Sequence, residues 1–395
     1  MKIYLIGIGM GNTLTLRAQQ LIENADVIIG AKRMLESINE AKTIFCSYKP
    51  DEIKEYLRDK PFERVCILLS GDTGFYSGAK KLVEALGEYE LELVAGISSV
   101  AYFFARLNKS WENTKLLSLH GRNDNVILYV KSYESVFVLL NRGEDIKVLC
   151  EKLCLYNMGN VVLHIGENLS YENEKITICK ANEINSFNFS SLCVVLIENK
   201  NACNKSLYGL KDEEFIRGNV PMTKGEVRAL SISRLELNKS SVLYDIGAGT
   251  GSVAVESALK LLNGKVYAVE KNSEAIELIK KNKIKFGADN LEIIEGVAPQ
   301  VLESLPTPTH AFVGGSCGNL KAIIKLLFEK NNNIKIVVNA IALDTVAEIV
   351  NIIRDTNLNA DIACVNVSKN KAVGNYQLML GQNPVYIVSI DNTAK

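Results

Sequence analysis

Short apolar runs alternate with stretches of helical periodicity along nearly the whole chain, and glycine-rich loops recur where the runs end. Lys2–Gly7 reads as a strand leading into Gly7-Ile-Gly9-Met-Gly11, then an amphipathic helix over Leu14–Glu23 and a strand over Ala25–Gly30. Val65–Leu69 runs into Ser70-Gly-Asp-Thr-Gly-Phe-Tyr-Ser-Gly78 and a helix over Ala79–Leu86. Leu91–Val94 runs into Ala95-Gly-Ile-Ser-Ser99 and a helix over Val100–Leu107. After a strand over Leu192–Ile197, the polar stretch Glu198–Ser206 has no apolar period and reads as a linker. The alternation then resumes with a helix ending at Leu235, a strand over Val242–Ile246 and a helix opening at Ser252. A strand over Lys265–Glu270, a helix over Ser273–Lys285 and strands over Leu291–Ile294, Ala311–Val313 and Ile334–Ala340 follow. A helix over Asp344–Arg354 and two strands, Ile362–Val367 and Pro384–Ile390, close the chain. Such strand–helix alternation predicts α/β domains with parallel sheets.

In parallel sheets, ligands bind beyond the carboxyl ends of the strands. Three strand ends of the first half carry glycine- and serine-rich loops, so the pattern predicts a lined cleft. In the second half the corresponding turn is Asp245-Ile-Gly247-Ala-Gly249-Thr-Gly251, and the next strand ends on Glu270. A carboxylate there can accept both hydroxyls of a ribose, which points to a ligand carrying a nucleoside. The spacing departs from the dinucleotide fingerprint G-x-G-x-x-G, because Ser252 holds the place of its third glycine. Asp245 is unfavourable beside a pyrophosphate but suits a cationic ligand. A plain strand–turn–helix with packing glycines is the bland alternative.

Length and composition narrow the class. A chain of 395 residues exceeds one typical domain. Its formal net charge of zero argues against a broad nucleic-acid footprint, and no apolar run is long enough to cross a bilayer. Met1-Lys-Ile-Tyr enters a strand directly without a signal-peptide pattern, so a cytoplasmic location is expected. Nine cysteines occur without C-x-x-C spacing, and those in apolar runs (Cys66, Cys193, Cys364) read as reduced core thiols. Cys150 and Cys154 share a helical face, yet no histidines complete a set, and no metal site is expected.

Two resemblances follow from these motifs. Gly7-Ile-Gly9-Met-Gly11 with Leu14-Thr-Leu, Ser70–Ser77, Gly96-Ile-Ser-Ser99, Ser118-Leu-His-Gly-Arg122 and Val161–Ser170 with Glu174-Lys-Ile176 resemble the tetrapyrrole methylases, and within them the precorrin C5-methyltransferases. Asp245–Gly251 with Glu270 resembles the class I S-adenosylmethionine-dependent methyltransferases, and together with Gly209–Arg228 the precorrin C15-methyltransferases (decarboxylating). The resemblance implies residues 1–200 as a tetrapyrrole methylase domain of two α/β subdomains, a linker at 201–208 and a class I, Rossmann-like methyltransferase domain at 209–395. It implies S-adenosylmethionine contacts at Gly71, Asp72, Thr73, Ser98 and Ser99 in the first half. In the second it implies them at Thr223, Gly247, Ala248, Gly249, Thr250, Gly251, Glu270 and Ala298. Gly9, Gly11, Gly314, Gly315 and Asn339 fall on the substrate side. Met10, Thr73 and Ala95 replace prolines common in the family, which implies looser loops.

Single residues keep two readings. His120 either touches a ligand or is a solvated loop histidine; His164, in an apolar alternation, reads as a satisfied sheet residue. Arg17, Arg33, Arg106 and Arg122 either meet substrate carboxylates or lie on the surface. Cys317 has no histidine close in sequence to activate it and reads as incidental.

The implied activity is methylation of C5 and C15 of a precorrin-6B-type tetrapyrrole, with loss of the C12 acetate carboxyl as CO2, in cobalamin biosynthesis. The macrocycle is metal-free or carries cobalt, and relatives imply a homo-oligomer. The other readings are a general small-molecule methyltransferase, a non-catalytic tetrapyrrole- or nucleoside-binding protein and a nicotinamide oxidoreductase.

Overall fold

The computed structural model describes residues 1–11, 13–36, 42–119, 125–140, 142–190, 192–203, 209–356 and 358–392. They form two compact units. One gathers Met1–Arg122, Tyr133–Glu151 and Gly159–Lys200; the other gathers Asn123–Ser132, Lys152–Met158 and Asn201–Lys395.

The first unit opens with strands β1 (Lys2–Gly7), β2 (Val27–Gly30), β3 (Thr43–Cys46), β4 (Arg64–Leu69) and β5 (Glu90–Val94). They pair in parallel in the order β3-β2-β4-β1-β5. Ile3, Leu5, Val27, Ile29, Val65 and Ile67 face one apolar layer, while Ile6, Ile28, Cys66 and Leu68 face the other. A strand covered on both faces needs apolar residues at successive positions, which is why these runs do not alternate with polar ones. Each such side chain contributes about 1.5–3 kcal/mol by leaving water.

A second sheet holds β6 (Lys115–Ser118), β7 (Ser135–Leu139), β8 (Val162–Glu167), β9 (Lys175–Lys180) and β10 (Cys193–Glu198), in the order β6-β7-β10-β8-β9. Only β6 and β7 run parallel; the remaining pairs are antiparallel.

The second unit is built on β11 (Val242–Ile246), β12 (Lys265–Glu270), β13 (Leu291–Glu295), β14 (His310–Val313), β15 (Lys335–Ala340), β16 (Asn359–Val365), β17 (Ser368–Val373), β18 (Tyr376–Gly381) and β19 (Val385–Asp391). Seven of these form one sheet, ordered β13-β12-β11-β14-β15-β19-β16. Its first five strands are parallel, and β19 lies antiparallel between β15 and β16. From β11 the chain builds outward through β12 on one side and resumes with β14 on the other. That reversal opens a crevice at the carboxyl ends of β11 and β14.

The closing antiparallel pair matches expectation, but β17 and β18 form an extra exposed hairpin between them. Neither strand has a buried face, so no alternating period announces it; its turn, Gly374-Asn375, is the available signal. The first helix starts at Leu16 rather than Leu14, because the Thr15 hydroxyl accepts the Ala18 amide at 3.2 Å and caps it. Cys66 and Cys193 are core thiols as expected, whereas Cys364 is exposed, because β16 is an edge strand. Cys150 is buried and Cys154 exposed, so the two do not share one environment.

Candidate active site

In the first sheet β4, β1 and β5 are neighbours, so their three loops emerge side by side. A Cβ on Gly7, the last residue of β1, would stand 2.7 Å from the Gly71 carbonyl oxygen and 2.9 Å from the Gly96 amide nitrogen. Three backbones therefore meet at a point where no side chain fits. Gly9 and Gly71 exchange main-chain hydrogen bonds at 3.0 and 3.3 Å. Asp72 ties the other pair together: Oδ2 accepts the Gly96 amide at 3.1 Å and Oδ1 the Gly74 amide at 2.8 Å. Thr73 is buried beside it. The Ser98 hydroxyl accepts the Ala101 amide at 3.2 Å and caps helix Ser99–Arg106, so its acceptor capacity is partly spent on structure. Gly71, Asp72, Thr73, Ser98 and Ser99 thus lie on two adjoining loops.

In the first loop Thr13 ties down the backbone at Met10, the position where the family commonly has proline. The Met10 amide donates to Thr13 Oγ1 at 2.8 Å, and Thr13 Oγ1 donates to the Met10 carbonyl at 2.7 Å. A proline at position 10 would lack that amide. The Met10 side chain also packs on the cluster of Val100, Phe103, Phe104 and Phe137. Gly11 lies against Ser170, whose Cβ would be 2.8 Å from a Cβ on Gly11.

Ser170 in turn donates its amide to Glu174 at 2.7 Å, and Glu174 also accepts the Tyr102 hydroxyl at 2.8 Å and Arg106 Nε at 2.7 Å. Burial alone would raise the Glu174 pKa, but these three donors hold it below its ordinary value. Arg106 is therefore committed to Glu174, and Arg17 to Glu92. Arg33 reaches Ser70 Oγ at 3.4 Å, at the edge of the second loop. His164 is buried on β8 with Nε2 2.7 Å from Glu198, while its Nδ1 has no partner. His120 and Arg122 lie outside the described residues.

In the second unit the glycine turn sits at the crevice. The Gly247 amide donates to Val269 O at 3.0 Å and the Gly314 amide to Ile246 O at 2.9 Å, joining the ends of β12, β11 and β14. Gly247 has φ +72°, and a Cβ there would meet the Gly315 carbonyl oxygen at 2.6 Å. Beside it opens a small cleft lined by Gly247, Glu270, Ala298 and Gly315 from the expected set. Lys271, Val297, Ser316 and Cys317 also line it. Glu270 is already occupied: Oε2 accepts the Gly249 amide at 2.8 Å, and Oε1 the Lys271 and Asn272 amides at 2.8 and 2.9 Å. A carboxylate offers roughly four acceptor positions, so a bidentate grip on two hydroxyls requires exchange of one of these amides.

Ala248, Gly249, Thr250 and Gly251 form the adjoining turn rather than the cleft wall. Thr250 is buried, with its hydroxyl unpartnered and its carbonyl held by Asn282 at 3.0 Å. Gly314 adjoins the lining; Asn339, at the end of β15, donates to Ser231 Oγ at 2.9 Å.

Thr223 belongs to a strap, residues 209–224, that crosses the turn: the Pro221 carbonyl oxygen lies 2.8 Å from where a Gly249 Cβ would be. The strap is held by Arg228, which is wholly buried. Its Nε pairs with Glu256 at 2.8 Å, and Nη1 with Asp212 at 3.1 Å and the Thr223 carbonyl at 2.8 Å. Nη2 donates to the Leu210 carbonyl, and the guanidinium stacks 4.7 Å from the Phe215 ring centre. Residue-by-residue matching missed this arginine. Its signal is an arginine in phase with buried Ser231, Ile232 and Leu235 on one helix. Asn282 completes the hold, accepting the Ile216 amide at 2.8 Å and donating to its carbonyl at 3.1 Å.

Asp245 is fully enclosed, and no group makes a well-formed hydrogen bond to either carboxylate oxygen. Burial pushes its pKa up to about 7; the Ala254 amide pulls against it, and the like charge of Glu270 adds a smaller push. Among the described residues no group of three or more His, Cys, Asp or Glu is placed to hold a metal ion, and no helix is long and apolar enough to cross a membrane.

Comparison with known proteins gives two family matches: residues 2–185 match the tetrapyrrole (corrin/porphyrin) methylases, and residues 214–392 the precorrin methyltransferase domain. A probable cobalt-precorrin-6B C(15)-methyltransferase (decarboxylating) of Pyrobaculum calidifontis is 41% identical over 184 residues, spanning 46% of this chain and 94% of that protein. One from Methanocaldococcus jannaschii is 40% identical, spanning 46% of this chain and 97% of its own length. A crystal structure of precorrin-6y C5,15-methyltransferase from Geobacter metallireducens is 37% identical, covering 48% of this chain and 99% of that one, with a TM-score of 0.46.

Proposed function

The chain belongs to the precorrin methyltransferase family, and from that premise we propose that it is a bifunctional methyltransferase acting on a precorrin-6B-type tetrapyrrole, with or without cobalt. Residues 209–395 methylate C15 and release the C12 acetate carboxyl as CO2; residues 1–200 methylate C5; residues 201–208 link them. The product is a precorrin-8-type tetrapyrrole, made in the cytoplasm. The observation that carries this reading is a pair of glycine-rich strand ends in one chain, each at the carboxyl edge of its own parallel sheet. Their matches are to two families named for tetrapyrrole and precorrin methylation.

S-adenosylmethionine supplies an electrophilic methyl group when bound. The second site suits it: Glu270 stands at the cleft for a ribose, and Asp245 is a buried carboxylate lacking a counter-charge. Thr223 and Ala248–Gly251 offer main chain along the turn, and Gly314, Gly315 and Asn339 edge the substrate side. In the first site Gly71, Asp72, Thr73, Ser98 and Ser99 would hold the donor, with Gly9 and Gly11 along the substrate trough. Each bridge carbon is electron-rich through its pyrrole neighbours, so the residues align and exclude water rather than supply a strong base. Alignment of this kind accounts for roughly 7–11 kcal/mol of a barrier. Cys317 lines the cleft, but methyl transfer needs no covalent intermediate on it.

The test is incubation with a precorrin-6B-type substrate, with and without cobalt, and methyl-labelled donor. A gain of two methyl groups with loss of one CO2 is expected; label that never enters the macrocycle defeats the reading. A homo-oligomer belongs to the same proposal and is supported by the exposed Tyr376, Leu378, Met379 and Leu380 of the β17–β18 hairpin. Sedimentation of the full chain as a single monomer would remove that part.

A further inference from the structure

We propose that Glu174 is the positioning residue of the first site: by gripping the Ser170 amide it fixes the turn that walls the substrate trough beside Gly11. The inference rests on the reading that Gly9 and Gly11 edge a trough for the macrocycle.

Ser170 lies in the turn that follows β8, in a backbone conformation that a residue with a Cβ seldom adopts. Its φ is +72°, and that of Asn168 is +46°. Left-handed backbone of this kind costs free energy and persists where its surroundings impose it. Two main-chain bonds close the turn: the Tyr171 amide donates to the Asn168 carbonyl and the Glu174 amide to the Tyr171 carbonyl, both at 3.0 Å. Neither of them holds residue 170 itself. Glu174 Oε2 does so, accepting the Ser170 amide at 2.7 Å.

The carboxylate is in turn anchored outside the turn. Oε2 also accepts the Tyr102 hydroxyl at 2.8 Å, and Oε1 accepts Arg106 Nε at 2.7 Å. Tyr102 and Arg106 are four residues apart on helix Ser99–Arg106, so they meet one partner from one face. Val100, Phe103 and Phe104 of that helix are buried. Gly166 on β8 lets the helix come close, since a Cβ there would meet Phe103 Cε2 at 2.6 Å. The helix is therefore the fixed member and the turn the dependent one. The Glu174 side chain is 13% exposed, so water competes little for its bonds.

What the turn decides is the space at Gly11. A Cβ on Gly11 would stand 2.8 Å from Ser170 Cβ and 2.9 Å from the Ser170 carbonyl oxygen. The two backbones are in contact, so a shift of Ser170 reshapes the trough there. Within the trough loop itself, Met10 packs on the cluster of Phe103 and Leu169. The loop thus refers to one helix twice, through Met10 directly and through Ser170 by way of Glu174. That helix begins at Ser99, on the donor side, so Glu174 sets the trough relative to the donor loop.

Steady-state kinetics of the full chain on a precorrin-6B-type substrate, scoring C5 and C15 methylation together, test this. Glu174→Ala should raise the macrocycle KM for C5 methylation about tenfold, the equivalent of one hydrogen bond to a charged group. Its kcat, the donor KM and the C15 constants should stay at wild-type values. Glu174→Gln keeps an acceptor for the Ser170 amide and should fall between the two. Gly11→Ala should raise the same KM, and by a smaller factor in the Glu174→Ala background, where Ser170 is free to give way. A lowered kcat with unchanged macrocycle KM, an equal loss of donor affinity, or independent effects of the Gly11 and Glu174 changes overturns the inference. If Glu174→Ala fails to fold, Tyr102→Phe removes a single anchor of the carboxylate, and no rise in macrocycle KM there overturns it. Wild type that never methylates C5 defeats the functional reading, and this inference with it.

Discussion

At the carboxyl edge of the first sheet, polar side chains hold loops to one another: Asp72 binds the Gly96 and Gly74 amides, and Ser98 caps a helix. At the edge of the third sheet the polar groups near the turn are enclosed ionisable side chains. Arg228 is fully paired there, whereas neither Asp245 oxygen makes a well-formed hydrogen bond and no cation faces it. The contrast teaches that two glycine-rich strand ends can be held in place by different means, one by side chains bridging loops and the other by buried ion pairing. One is a main-chain cradle with satisfied acids; the other encloses an acid whose ionised form burial disfavours.

The largest expected way to break the comparison is Arg228→Ala. Removing one partner of a buried ion pair leaves Asp212 and Glu256 uncompensated, which costs about 3–5 kcal/mol. Chemical denaturation should show early loss of the second unit, and C5 methylation should outlast C15 methylation. Next comes Glu270→Ala, which strips the Gly249, Lys271 and Asn272 amides of their acceptor. C15 methylation should vanish while C5 methylation persists; loss of both would merge the two sites into one. Asp72→Ala is the reciprocal probe, expected to destabilise the first loops by about 1–3 kcal/mol as two amides lose their partner. It should lower C5 methylation and leave C15 methylation unchanged.

A smaller effect concerns pH and stability. The folded pKa of Asp245 is raised to about 7, whereas its unfolded value lies near 3.9. Between those values the folded state holds a proton that the unfolded state has lost, so this acid lowers stability as pH rises. Asp245→Asn has no such titration. Its stability relative to wild type should therefore improve from about pH 4 to pH 7 and then level off. A constant difference in denaturation midpoints across that range would sharpen the comparison against a charge role for Asp245.

Much of the scaffold was legible. Apolar runs at β1, β4, β11 and β12 are long enough, and the glycine turns marked enough, to place parallel strands and their ligand edge from pattern alone. The strap over 209–224 was not legible as a strap, because its hold depends on Asp212, Arg228, Glu256 and Asn282, which are distant in sequence. Arginines offered as substrate contacts show the same limit: Arg106 and Arg17 are spent on Glu174 and Glu92, partners 68 and 75 residues away. The β17–β18 hairpin escaped because a strand with no buried face leaves no period.

By itself the sequence determined which segments become strands and helices and where backbone must come close to backbone, because apolar period and missing Cβ atoms act locally. Only the tertiary structure decided which polar groups are already satisfied and which carboxylate is stranded without a counter-charge. Desolvation and pairing depend on neighbours that the chain brings in from far away.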